Sequence, residues 1–152
     1  MAIFYEREPL LSSNCTIIAH QTNCFNVSQT WIAKQIQEYY PEVYLADKKY
    51  KLPPRERLGR FSFALTEDGS RLIFHLYGQF RYGEERHHTD FDALRQSLDD
   101  FFKAVKLAEE KGFPIKIGLP NQLGHSYQEE KVFSLLKELS SVYQYDLHIY
   151  TQ

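Results

Sequence analysis

Cysteine, glycine and tryptophan are scarce in this chain of 152 residues, which has two, seven and one of them. Two cysteines, Cys15 and Cys24, are too few for the multi-bridge framework of a small secreted domain, and a chain of this length buries a core without one. Both are expected to be free thiols, with no redox control. A surplus of one charge is also missing: 18 Lys and Arg stand against 20 Asp and Glu, for a formal net charge of −2. The two signs are mixed along the chain, so no basic stripe is available to neutralise a phosphate backbone, and polymeric nucleic acid is excluded as an expected partner. No segment approaches the ~18–20 consecutive apolar residues of a membrane span. The opening Met1-Ala-Ile-Phe-Tyr-Glu-Arg-Glu8 meets charge after a very short apolar run, so no export signal is expected. A cytoplasmic protein with no membrane partner is expected. Internal repeats and low-complexity tracts are absent, and the length fits one domain over 1–152 on a prior of roughly 100–200 residues per domain.

Aromatic residues are plentiful. Eleven Tyr and eleven Phe bring the aromatic fraction to 15%, so the core is expected to be built on large rings. Residues 3–7 and the apolar run 15–19 read as strands, the second of a type covered on both faces. Helical spacing follows over 31–40 and again over 41–50, with Pro41 at the junction. Residues 51–59 read as a polar connection. Asp68-Gly69 between two apolar runs signals a hairpin of strands over 60–65 and 71–77. Thr89 is expected to cap a helix whose Phe91, Leu94, Leu98, Phe101, Phe102 and Val105 share a face and which Gly112 closes. A buried-type strand is read over 114–119. Ser126 and Glu129 form a capping box for a helix with Val132, Leu135, Leu136, Leu139 and Val142 on one side. The last strand covers 145–150. Helices interleaved with strands, plus one hairpin, imply a mixed sheet between helical layers.

In such sheets ligands bind where strands end and helices begin, because helix N-termini present unpaired N–H groups there. Two loops qualify, 21–31 and 120–127, and a phosphate-bearing small molecule spanning both is the natural ligand. The first loop lies within Ala19-His-Gln-Thr-Asn-Cys-Phe-Asn-Val-Ser-Gln-Thr-Trp-Ile-Ala-Lys-Gln-Ile36 and contains no glycine. His20 and Asn23 stand at the end of a buried strand, where polar groups must find partners: they serve either the loop backbone or a site. Trp31 is either a core anchor of the helix start or a platform for a base or ribose. His87-His88-x-Asp90 has metal-like spacing but no second cluster, so it reads as a solvated loop and cap, with no metal site. His125 beside Ser126 is either an acid–base group or an exposed loop histidine. No base is placed by sequence to activate Cys24. The stretch Tyr77-Gly-Gln-Phe-Arg-Tyr82 either walls the cleft or packs on it.

Ile17-Ile-Ala-His-Gln-Thr-Asn-Cys24, Ile32-Ala-Lys-Gln-Ile36, Tyr40-Pro-Glu-Val-Tyr44, His75-Leu-Tyr-Gly-Gln79, Thr89-Asp-Phe-Asp-Ala-Leu94 and Leu147-His-Ile-Tyr150 follow one another in an order and spacing that resembles the macro domains. The similarity runs nearly end to end. It is to a small single-domain branch of bacteria and phages, related to Appr-1″-p processing and terminal ADP-ribose glycohydrolase proteins. The resemblance implies an α/β three-layer α/β/α sandwich with a mixed, about six-stranded sheet and a cleft of the ADP-ribose type. It also implies that Asn23 contacts the distal ribose. The family's next segment is Gly-x-Met-Gly-x-Gly, whereas here Asn26, Ser28, Gln29 and Trp31 occupy it, with every glycine replaced. Glycine lets backbone N–H groups approach a ligand without an intervening Cβ. Gln29 and Trp31 are therefore expected to narrow or fill that part of the cleft.

The second family loop is represented by Gln122-Leu-Gly-His-Ser126, in which only Gly124 survives, and the adenine-reading Asp near the N-terminus is replaced by Glu8-Pro-Leu-Leu11. Where the glycohydrolases carry a catalytic Lys and Asp, this chain has Gln79 and His125. The ligand-binding set implied is Asn23, Phe25, Asn26, Gln29, Trp31, Gln79, Asn121, Gly124, His125 and Ser126, and the candidate catalytic groups are His20, Asn23 and His125. The expected function is binding of ADP-ribose or a related NAD-derived nucleotide, with weak or no turnover and no cofactor. Two alternatives stand beside it. One is hydrolysis of ADP-ribose derivatives, by an ADP-ribosyl glycohydrolase acting on an ADP-ribosylated target or by an ADP-ribose-1″-phosphate phosphatase. The other is a protein-interacting decoy whose cleft Trp31 plugs.

Overall fold

The computed structural model describes residues 1–28, 30–82, 89–121, 123 and 129–151. Six strands, β1 (Ile3–Glu6), β2 (Ile17–Asn23), β3 (Phe61–Leu65), β4 (Leu72–Gln79), β5 (Ile117–Pro120) and β6 (Leu147–Tyr150), form one sheet in the order β1-β6-β5-β2-β4-β3. Every neighbouring pair is parallel except β3 with β4, the hairpin turned at Asp68-Gly69. Gly69 has a φ of 75°, which this turn requires and a side chain would resist. The C-terminal ends of five strands therefore share one edge of the sheet, which we call the crest.

Alternation along β2 assigns the two faces. Ile17 and Ala19 meet α4 (Phe91–Glu110) and α5 (Glu129–Tyr143) through Leu94, Leu98, Phe101, Phe102, Val105, Leu135, Leu136 and Leu139, with Phe74 edge-on to Phe101 at 4.9 Å. Ile18 faces the other way. It packs with Leu10 of a 3₁₀ turn (Leu10–Ser12), with Ile32 and Ile36 of α1 (Trp31–Tyr39) and with Val43 of α2 (Pro41–Lys48). The result is the expected sandwich of helices, mixed sheet and helices.

Several boundaries differ from the sequence reading. Strand β2 runs on through Asn23 because its parallel ladder with β4 continues to Asn23↔Gln79, so Gln21 to Asn23 are strand and not loop. Residues 54–57 form a short helix, α3 (Pro54–Arg57), inside the expected polar connection. Asp90, not Thr89, caps α4: its carboxylate accepts the Ala93 N–H, while Gln21 donates to the Thr89 hydroxyl. Val142 is 65% exposed, and Tyr143 in its place continues the packed face of α5 beyond Leu139 by stacking on Phe102. The capping box at Ser126 lies outside the described residues. Among the described residues no helix is long and apolar enough to cross a membrane, and both cysteines are free thiols.

Gly118 on β5 makes the tightest test of packing at the 3₁₀ turn. A Cβ built there would stand 2.7 Å from both Cys15 Sγ and Leu10 Cδ1, which are buried. Gly118→Ala is expected to destabilise the fold by about 1–3 kcal/mol through overpacking. Urea unfolding checks it, and a midpoint within error of wild type would contradict the packing described.

Candidate functional site

The crest is built around the end of β2. Asn23 is buried and sends both ends of its amide into its own loop: Oδ1 accepts the N–H of Phe25 (2.9 Å) and of Val27 (3.3 Å), while Nδ2 donates to the Val27 carbonyl at 2.8 Å. Such a side chain folds the loop as an Asx turn does. The loop is zipped to the end of β4 by Cys24 N–H on the Phe80 carbonyl at 3.1 Å. Thr30 then caps α1, its hydroxyl accepting the Ala33 N–H at 3.1 Å.

Gln79 lies beside Asn23 in the ladder. Its Oε1 accepts from Gln21 Nε2 and its Nε2 donates to the Arg81 carbonyl, at 2.9 and 2.7 Å. Gln21 Nε2 also reaches the Thr89 hydroxyl, and Gln21 Oε1 is buried without a hydrogen bond. Gly78 leaves room for that amide, since a Cβ there would come within 2.6 Å of the oxygen and displace the Gln21 side chain. Gln21, Thr22, Asn23, Val27, Thr30, Ala33 and Gln79 line a space of only about 10 Å³. That holds one water at most, which needs about 10–15 Å³.

The remaining predicted residues scatter. His20 sits inside the sheet, not at its crest. Its Nε2 is 2.8 Å from Nδ1 of His75, whose Nε2 donates to the Val43 carbonyl at 2.9 Å. That last bond fixes the tautomers: His75 carries its proton on Nε2, His20 donates from Nε2, and His20 Nδ1 is left bare and buried without a partner. Burial holds the pKa of His20 well below the ordinary value, with the His75 ring adding to it, and burial also lowers that of His75. Both are neutral structural groups at pH 7. Burial likewise pushes the Cys24 thiol up to about 12, which removes it as a nucleophile.

Asn26 turns away from the crest toward α2, as described below. Trp31 opens α1, half-buried against the core on the α1–α2 side. Phe25 is 40% exposed and meets Phe80 and Tyr82 edge-on, so residues 80–82 pack on the crest loop. Asn121 is exposed and lines a separate recess of about 620 Å³ at the ends of β5 and β6, beside Tyr5 and Phe133. Gln29, Gly124, His125 and Ser126, with His87 and His88, lie outside the described residues. Among the described residues no group of three His, Cys, Asp or Glu side chains could hold a metal ion.

The sequence reading missed the buried polar cluster beneath the crest loop. Tyr77 donates to Asp47 Oδ1 at 2.6 Å and contacts the Ser62 hydroxyl at 2.8 Å. Arg57 donates to the carbonyls of Leu52 (2.6 Å), Tyr50 (3.1 Å) and Cys24 (3.4 Å), and its guanidinium lies over the stacked rings of Tyr50 and Tyr77. One signal was available: Asp47 stands four residues after the core residue Val43 on the same face of α2, and an acid on a buried face needs a partner.

No family model and no curated protein matches this sequence. Solved structures do. A protein of unknown function from Bacteroides thetaiotaomicron superposes with a TM-score of 0.78 at 17% identity, over 100% of this chain and 99% of that one. The macrodomain of Thermus aquaticus DarG gives 0.70 at 16% identity, over 97% of both chains. Thermosipho africanus DarTG, in complex with ADP-ribose, gives 0.71 at 14% identity, over 98% of this chain and 42% of that one. The chain has the macrodomain fold.

Proposed function

We propose that this protein binds ADP-ribose or a closely related nucleotide at the crest, with weak or no turnover. The carrying observation is structural. Five parallel strands end on one edge beneath the N-terminus of α1, the arrangement in which open α/β sheets take phosphate-bearing ligands, and the fold is shared with a protein held in complex with ADP-ribose. Weak turnover follows from the groups at the crest. Among the described residues there, Asn23 and Gln79 are amides committed to hydrogen bonds, and the Cys24 thiol stays protonated. Neither a general base nor an activated nucleophile is supplied by them.

A second reading, a decoy that binds no nucleotide, is favoured by the space of about 10 Å³ beside Asn23. In it the chain's own side chains, among them Thr22, Asn23, Val27 and Gln79, fill the position that the macro-domain resemblance gives to a ribose, and Trp31 packs on the α1–α2 side. Isothermal titration with ADP-ribose and with AMP separates the two. Binding of ADP-ribose at micromolar concentration, with no product released over hours, is the expected result. No heat with either nucleotide up to millimolar concentration would leave only the decoy reading.

A further inference from the structure

We infer that Asp47 is a positioning residue that holds the crest loop in one conformation through Asn26, taking the part that glycines play in a loop which has none; its bearing on affinity rests on the nucleotide-binding reading above. Asn26 is one of two non-glycine described residues with positive φ, at 65°. Asparagine tolerates that conformation when its side chain finds a local partner. Here the partner is remote in sequence. Asn26 Nδ2 donates both to the Asp47 backbone carbonyl (2.8 Å) and to its Oδ1 (2.9 Å). The α2 residue thus receives the loop at two points, 21 positions away.

Asp47 is suited to the task because it does not move. Its side chain is 5% exposed, its Oδ1 is also taken by the Tyr77 hydroxyl, and Arg57 bridges its carbonyl to that of Cys24. A buried carboxylate that accepts from the Tyr77 hydroxyl on β4 as well as from Asn26, on a residue whose backbone carbonyl also receives Arg57, has little freedom to move, since each bond lost leaves charge uncompensated in a low-dielectric interior. The loop between Asn23 and Thr30 is then pinned at both ends and in the middle: Asn23 folds its start, Thr30 caps its exit, and Asp47 holds Asn26 between them. Preorganisation of this kind raises affinity by removing the ordering cost of a binding loop.

The test uses Asn26→Gly and Asp47→Asn in the full chain, each read in two ways. Asn26→Gly keeps the positive φ available and removes only the latch, at a half-buried position where the fold survives. Amide hydrogen exchange without ligand is expected to accelerate at least tenfold at Phe25 and Val27 in this variant, with the strand amides of β2 and β4 unchanged. Asp47→Asn, which keeps an acceptor for Tyr77 but weakens the contact to Asn26, is expected to lie between wild type and Asn26→Gly. Unchanged exchange at Phe25 and Val27 in Asn26→Gly overturns the latch, whatever the protein binds. Titration with ADP-ribose is the second reading: affinity is expected to fall about tenfold in Asn26→Gly. Wild-type affinity in a variant whose loop exchanges faster would also overturn the positioning role, and a wild type that binds nothing overturns the nucleotide reading while leaving exchange to judge the latch.

Discussion

Acidification from pH 7.5 to pH 5.5 is expected to cost this protein a large part of its stability, because two histidines are folded into its core as neutral rings. His20 and His75 are each 2% exposed and bonded to one another, and only three of their four nitrogens have partners. A proton added to His20 would charge a fully buried ring beside His75, a cost that the backbone of Gln21 offsets only in part, and a proton on His75 Nδ1 would destroy the bond between the rings. The attraction of Asp47 and the hydrogen bond to the Val43 carbonyl oppose the shift of His75 without cancelling the cost of burial. The sign follows from proton binding. Below the ordinary value of 6.5 the unfolded chain takes up protons that the folded chain refuses, so stability is full above that value and falls as pH drops through it.

At pH 5.5, one pH unit below 6.5, a histidine that stays neutral when folded costs about 1.4 kcal/mol. His20 is expected to contribute that amount and His75 up to as much again. For a chain of this size the melting temperature should drop by roughly 3–10 °C across the interval. Thermal denaturation by circular dichroism checks the prediction, and a flat melting temperature between pH 7.5 and 5.5 would refute the neutral pair. The carboxylates held low by hydrogen bonds, Asp68 and Asp99, titrate below this window and do not confuse it.

Arg57→Ala should be the most damaging single change near the crest. Arg57 is 5% exposed, and its guanidinium donates to three carbonyls in two segments, those of Tyr50 and Leu52 and that of Cys24, while packing on two tyrosine rings. Truncation removes these bonds, at about 1–3 kcal/mol for each well-made one that is left without a partner, and leaves Asp47 without its nearby positive charge. A loss of about 3–5 kcal/mol is expected, visible as a shift of the urea midpoint. Arg57→Lys should recover less than half, because a single ammonium cannot reproduce the planar fork that reaches separate carbonyls. Full recovery by lysine would show that charge alone, and not the fork, holds the segment.

Much of the fold was legible because apolar periodicity records burial directly. The α4 stripe from Leu94 to Val105, the Asp68-Gly69 turn and the apolar start of β2 each appear in the chain as they do in space. The errors share a cause. Gln21 to Asn23 are polar, so they read as the beginning of a loop, yet all three are buried in strand β2 because β4 pairs with them to the end. Val142 continues the helical pattern, but in the last turn of α5 it is Tyr143 that packs on Phe102, which leaves Val142 exposed. Asp90 rather than Thr89 caps α4 because Gln21, which is 68 positions away, engages the threonine hydroxyl.

The candidate site divides along the same line. That Asn23, Gln79 and the N-terminus of α1 meet at one edge was implied by the order of elements and by resemblance. How their polar atoms are spent was not. The scarcity of glycine in the loop from Cys24 to Trp31 is plain in the sequence, and it already argues against an open phosphate cradle. Only the tertiary structure shows what replaces it, a positive-φ asparagine held by a buried aspartate in another helix. The physical reason is one of range. Periodicity and composition report which residues leave water, a property each residue carries locally. Hydrogen bonds report which atoms meet, and in this chain the decisive ones join residues 21 to 68 positions apart.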